Sequence, residues 1–172
     1  MMDRKEARDV LQWESVEEAA ELLQERLFPQ AMIELRRVIM AQPNNPYAYF
    51  YLGVAFFETE QMEAARDAYR AAVTLSPDYL GARVSLSHVL RQLGDVPSAI
   101  GQAKEALRRF PKDGDAMHAL GLAEAAKGNR REAKKHLTGF LEQKPELEPA
   151  NEVKQILEML GMGDEGEPVE FE

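Results

Sequence analysis

Pro43, Pro77, Pro111 and Pro145 stand 34 residues apart, and Ala31, Ala65, Ala99 and Ala133 keep the same interval. A fixed period of this length means that one supersecondary unit is copied along the chain and buries its apolar face against its neighbours. Laid out from Gln12, Pro46, Leu80 and Gly114, each unit reads as two helices joined by a tight turn. Gly94-Asp95 and Gly128-Asn129 mark that turn in the third and fourth units, and Pro29 and Pro97 fall in the first turn of the second helix, where a missing N–H costs nothing. The recurring proline closes the second helix, because it cannot continue one. No stretch alternates with a period of two, so the expectation is an all-α fold.

A second set of positions on the same beat predicts how the two helices meet. Ala19, Gly53, Ser87 and Gly121 are small and 34 apart, as a close crossing requires. Leu52, Leu86 and Leu120 precede them, and Leu22, Phe56 and Leu90 follow three residues on. On the second helix, Leu35, Tyr69, Ala103 and Leu137 lie four residues past the recurring alanine, with Val38, Ala72, Ala106 and Phe140 three further. Spacings of three and four put these groups on one face.

The motif L-G-x-x-[FY], then A-x-x-x-[FY]-x-x-A, then P resembles the tetratricopeptide repeat. The second unit carries it in full as Leu52, Gly53, Phe56, Ala65, Tyr69, Ala72 and Pro77. The third and fourth depart at Ser87 and Glu124, and the first is degenerate at Ser15 and Glu18. The resemblance covers residues 12–147 as four units, 12–45, 46–79, 80–113 and 114–147. It implies a solenoid of antiparallel helix pairs wound into a right-handed superhelix, whose concave wall comes from the first helix of each unit. Residues 1–11 are expected to extend the first helix. Residues 148–161 are expected to form a capping helix, with Val153, Ile156, Leu157 and Leu160 inward and Gly161 as its stop. Residues 162–172 read as an acidic disordered tail.

Composition narrows the chemistry. The chain has 172 residues and no cysteine, which excludes disulfides, thiolate zinc sites and a cysteine nucleophile. Its start carries both charge signs and no signal-like apolar stretch, and the longest apolar run, 47–57, is too short to cross a bilayer. The expectation is a cytoplasmic protein without a membrane partner. Net charge is −9, but residues 80–113 carry +3 and residues 148–172 carry −7. Lys127, Arg130, Arg131, Lys134 and Lys135, with Arg108, Arg109 and Lys112, form a basic cluster. This is read as a solvated helix face rather than a nucleic-acid surface, and the acidic tail is a candidate to dock on it.

A concave wall built as the resemblance implies would present Tyr47, Phe50, Tyr51, Val54 and Phe57 from the second unit. The third would add Val84, Ser85, His88 and Arg91, and the fourth His118, Ala119 and Leu122. Trp13, Val16, Ala20 and Leu23 would be the first unit's share. The first helix of unit two is apolar on both faces, which means either a binding groove or rings buried against neighbouring helices. Some relatives grip a peptide C-terminus with inward Asn, Lys and Arg. The corresponding residues here are Val16, Ala20, Tyr51, Gly81 and Ser85, or Phe50, Val54, Ser85, Asp115 and Ala119, and neither set builds that clamp.

His88 and His118 lack a third ligand at suitable spacing, so they read as lining or hydrogen-bonding groups, with no metal or other cofactor expected. His136 is placed at the surface. Gly161-Met162-Gly163-Asp164-Glu165-Gly166 matches a dinucleotide fingerprint by letter, but no strand precedes it. No nucleophile, base and orienting group come together, so the chain is not read as an enzyme. The function expected is a protein-binding adaptor or scaffold that captures an apolar or aromatic peptide, or an amphipathic helix, in the concave groove. Its rivals are a secretion-type chaperone shielding a client and a structural subunit that self-associates through the groove or the acidic tail.

Overall fold

A computed structural model describes residues 3–162 of the chain. Ten helices follow one another among these residues, with no strand: α1 (Arg4–Glu14), α2 (Glu17–Gln24), α3 (Phe28–Ala41), α4 (Pro46–Glu58), α5 (Met62–Leu75), α6 (Leu80–Gln92), α7 (Val96–Arg109), α8 (Gly114–Lys127), α9 (Arg130–Glu142) and α10 (Leu147–Met162). From α2 to α10 each helix packs on the next, and α2, α4, α6 and α8 form a row in which α4 touches α2 and α6 touches α8. The pairs α2–α3, α4–α5, α6–α7 and α8–α9 are the four antiparallel hairpins, and the fold is an all-α solenoid.

Within each hairpin the closest approach falls on the small-residue ladder. A Cβ built on Gly53 would stand 2.6 Å from the ring of Tyr69, and one on Gly121 would stand 2.6 Å from the Leu137 side chain. In the third pair Ser87 fills the same place and turns its closeness into a bond, its Oγ donating to the Ala99 carbonyl at 2.8 Å. The recurring alanines Ala31, Ala65, Ala99 and Ala133 are all fully buried, as are Leu35, Ala103 and Leu137 one turn on.

The turn between paired helices also repeats. Arg26, Glu60, Gly94 and Gly128, again 34 apart, all take positive φ, between 59° and 86°. Each ends the preceding helix in the same way: the next residue's N–H reaches back five residues, from Leu27 to Leu22, Gln61 to Phe56, Asp95 to Leu90 and Asn129 to Glu124, at 2.8–2.9 Å. This is the Schellman arrangement, whose left-handed position suits glycine. Two units supply glycine and two hold a side chain there under strain.

Among the described residues, 3–11 do not simply lengthen the first helix. The chain breaks at Ser15-Val16, so α1 and α2 are separate. The cause is Asn45, which is fully buried. Its Nδ2 donates to the Gln12 carbonyl at 2.9 Å, and Ser15 Oγ donates to the same carbonyl at 2.8 Å. That carbonyl is the one Val16 would use in a continuous helix, and Val16 N–H turns instead to Trp13 O. Asn45 Oδ1 meanwhile caps α4 by accepting from Tyr47 and Ala48 N–H.

Two buried charges are held by similar means. Arg83 binds Gln102 Oε1 and the Pro77 carbonyl, each at 2.8 Å. Glu124, standing where the repeat motif has an aromatic, accepts from Asn129 Nδ2 at 3.1 Å and lies 3.5 Å from Lys104 Nζ. At the C-terminal end α10 lays Val153, Ile156, Leu157 and Leu160 on Leu137 and Phe140. Gly161 lies inside α10 and does not stop it.

Three substitutions test this account. Gly121→Ala forces Leu137 aside and is expected to destabilise the fold by about 1–3 kcal/mol in urea melts. The left-handed turn predicts opposite signs at equivalent positions: Gly94→Ala, with open space around it, costs about 1 kcal/mol, and Glu60→Gly gains a similar amount.

Candidate binding wall

The helix α4 is apolar almost all round because its sequence, PYAYFYLGVAFFE, leaves no polar stripe. Ala48, Leu52 and Ala55 go into the core. Phe56 packs against the core, and Tyr49 borders a depression with Asp67, Arg70 and Thr74 of α5; the rings that face the row of first helices divide into two groups.

The first group closes on itself. Trp13 of α1 meets Tyr47 edge-on at 5.5 Å and Tyr51 at 6.0 Å. Tyr47 meets Tyr79 at 5.3 Å, and Phe50 lies against Tyr79 at 4.9 Å, Tyr51 at 5.2 Å and Tyr69 at 5.8 Å. Ring contacts of this geometry add to the burial they accompany. Tyr47 Oη donates to Asp9 Oδ1 at 2.9 Å, and burial with that bond pushes its phenol up to about 12. Burial likewise raises Tyr79 and Tyr69. Tyr79 escaped the sequence reading because it sits at the N-cap of α6, outside any helical stripe.

The second group lines two adjoining depressions. One, of about 390 Å³, lies between α2 and α4 and is bordered by Ala20, Leu23, Tyr51, Val54 and Glu58, with Arg26 and Phe28 at its edge. The other, of about 270 Å³, lies between α4 and α6 and is bordered by Val54, Phe57, Glu58, Tyr69, Ser85 and His88. Val54 and Glu58 belong to both. Glu58 is steadied by Arg26 Nη1 at 3.6 Å, and the Arg26 guanidinium lies 5.2 Å over the Phe28 ring.

Other expected wall residues go elsewhere. Val84 packs in the core, and Val16 and Ala119 are buried there. Leu122 packs into the cluster that α10 covers. The opening therefore spans α2, α4 and α6.

At the border of the second depression stands His88, with the ring of His118 5.6 Å away, and His118 stacks on Phe140 at 4.6 Å. Burial, His118 and the charge of Arg91 push His88 down to about 4. Burial lowers His118 as well. Both imidazoles are therefore neutral at pH 7. Among the described residues no cluster of three or more His, Cys, Asp or Glu could hold a metal. His136, expected at the surface, is half-buried with Nε2 3.5 Å from Glu132.

The basic cluster is partly neutralised. Arg108 and Arg109 both bind Glu105 at 2.7 Å, Arg109 also pairs with Asp78, and Lys135 lies 3.7 Å from Glu132. The acidic tail, and the glycine fingerprint beyond Met162, lie outside the described residues. No described helix is long and apolar enough to cross a membrane.

Fold and repeat register together define a class, and comparison with known proteins agrees. Models described as tetratricopeptide repeat match residues 7–79 and 56–120. The chain belongs to the tetratricopeptide repeat family. Among curated relatives it is 26% identical over 117 residues to tetratricopeptide repeat protein 37 of Xenopus laevis, and 27% identical over 95 residues to superkiller complex protein 3 of Homo sapiens. These matches take in 64% and 55% of the chain but only 7% and 6% of the relatives' lengths. Among solved structures, MamA superposes with a TM-score of 0.67 at 28% identity, over 73% of this chain and 74% of that one. A thermophilic repeat protein of the same family from Thermus thermophilus gives 0.69 at 21% identity, over 88% and 82%. A chain of the APC/C hetero-tetramer Cut9-Hcn1 gives 0.74 at 19%, over 85% of this chain and 30% of that one.

The depressed His88 sets a pH dependence. An unfolded chain takes up a proton near pH 6.5, whereas folded His88 resists until about pH 4. Its contribution is thus fully present above pH 6.5 and is lost as pH falls towards 4, on the order of 3 kcal/mol in all. Urea melts across that window are expected to show wild type losing this much more stability than His88→Asn.

Proposed function

We propose that this chain is a non-catalytic interaction module that holds an apolar segment of another protein along the wall formed by α2, α4 and α6. One observation carries the reading: two depressions adjoin there and share Val54 and Glu58, so a continuous track runs past Tyr51, Val54, Phe57 and Ser85 to His88. Concave apolar surface with a few polar groups at its rim is what a bound segment requires. Tyr47 and Phe50 act as the rigid floor behind the track, since other rings already occupy their faces. Arg91 and His118 mark its far end.

Family membership favours this function, because arrays of stacked hairpins present long surfaces and recruit partners along them. The matched chain from Cut9-Hcn1 comes from an assembly of two kinds of protein. An extended or helical segment fits the track equally, and both would seat apolar side chains at its two depressions.

Val54→Glu places a charge where both depressions meet. It is expected to keep a cooperative helical melt and to lower partner recovery by at least about tenfold in affinity capture, judged against wild type. Ile33→Glu, an exposed position on α3, serves as the control and leaves capture unchanged. Recovery of the same partners by Val54→Glu and wild type would refute the reading.

A further inference from the structure

The far end of the track carries polar groups that the fold itself does not use. Arg91, in the last turn of α6, pairs with no carboxylate among the described residues, and its Nε is buried without a hydrogen-bond partner. His118 Nε2 is buried and unpartnered in the same way. Buried polar atoms without partners are rare in folded proteins, and each one needs a physical reason. Here the Arg91 charge acts on both His88 and His118, whose rings lie 5.6 Å apart where His88 borders the second depression.

The surrounding charges say what is missing. Glu58 of α4 and Tyr69 of α5 face the same depression as His88. Asp115 of α8 and Glu152 of α10 are close enough to act on His118, yet neither is within ion-pair distance of Arg91. A cation would meet the Arg91 charge. A carboxylate could accept from the guanidinium and from an imidazole N–H at once, the strongest kind of hydrogen bond these groups make. Residues 80–113, which contain Arg91, carry a net +3 in a chain that is otherwise acidic.

We propose that Arg91, His88 and His118 bind an aspartate or glutamate side chain of the partner segment, beside apolar residues seated against Val54 and Phe57. This rests on the reading of the wall as a binding surface. A segment lying along α2, α4 and α6 would bring a side chain to this site, and a free chain end is the rival that the test below resolves.

The test uses the full chain and fluorescein-labelled peptides capped at both ends. They share one Leu/Phe frame and carry Asp or Asn at the centre; a third peptide has the central Asn and a free C-terminal carboxylate. By anisotropy, wild type is expected to bind the Asp peptide about tenfold more tightly than the Asn peptide. Arg91→Gln abolishes that preference without changing the thermal melt, and Arg91→Lys keeps part of it. Equal affinity for the capped peptides, with Phe57→Ala weakening both, overturns the carboxylate site and leaves the wall standing. Preference for the free C-terminus overturns the assignment to a side chain. Binding of neither capped peptide overturns the site and the wall together.

Discussion

The structure depends on how closely the two helices of a hairpin can approach. At Gly53 and Gly121 the facing side chain occupies the space a Cβ would need. At Ser87 the hydroxyl fits only because it bonds the backbone it touches. Close approach lets short second-helix residues, mostly alanine, fill the interior at the density proteins require. Alanine also costs little to place in a helix. One constraint thus fixes both the small residues and the interval between them, since each unit must restore the same crossing before the next can stack.

Stacking then depends on what happens between helices. All four hairpin turns adopt one left-handed geometry with one hydrogen bond, although Arg26 and Glu60 supply no glycine. That uniformity shows tertiary packing overriding local preference, because a turn of any other shape would splay the pair. Asn45 does the corresponding work at the start of the array. A single buried amide caps α4 and takes the carbonyl that would have carried α1 into α2. The degenerate first unit is therefore a polar junction: Ser15 stands where an aromatic is usual in the motif, and its hydroxyl joins the network around Asn45.

The wall follows from having more apolar surface than the core can absorb. Helix α4 packs on α3 and α5 and only lightly on the neighbouring first helices, which leaves part of its aromatic face without cover. The chain resolves this in two ways along a single helix. Near the N-terminal end, Trp13, Tyr47, Phe50 and Tyr79 pack against each other. Towards the C-terminal end, Val54 and Phe57 border open depressions. Charge is arranged around them, with Glu58 held by Arg26 at the rim and the histidine pair kept neutral by burial beside an unpaired Arg91.

The 34-residue beat, read from sequence, determined the helical hairpins, the family, the small crossing positions and the buried faces, because each follows from spacing within one unit. The apolar stripe on 153–160 likewise marked the side of α10 that packs. Tertiary structure decided what spacing cannot express. It broke the first helix at Ser15, since the donor that competes for the Gln12 carbonyl comes from Asn45, 33 residues further along the chain. It drew Val84 and Ala119 inward and covered Leu122 with α10. It joined Tyr79 to the ring cluster and left Arg91 without a partner. Helical periodicity says which residues share a face; which faces meet, and which stay open, depends on how successive units stack in space.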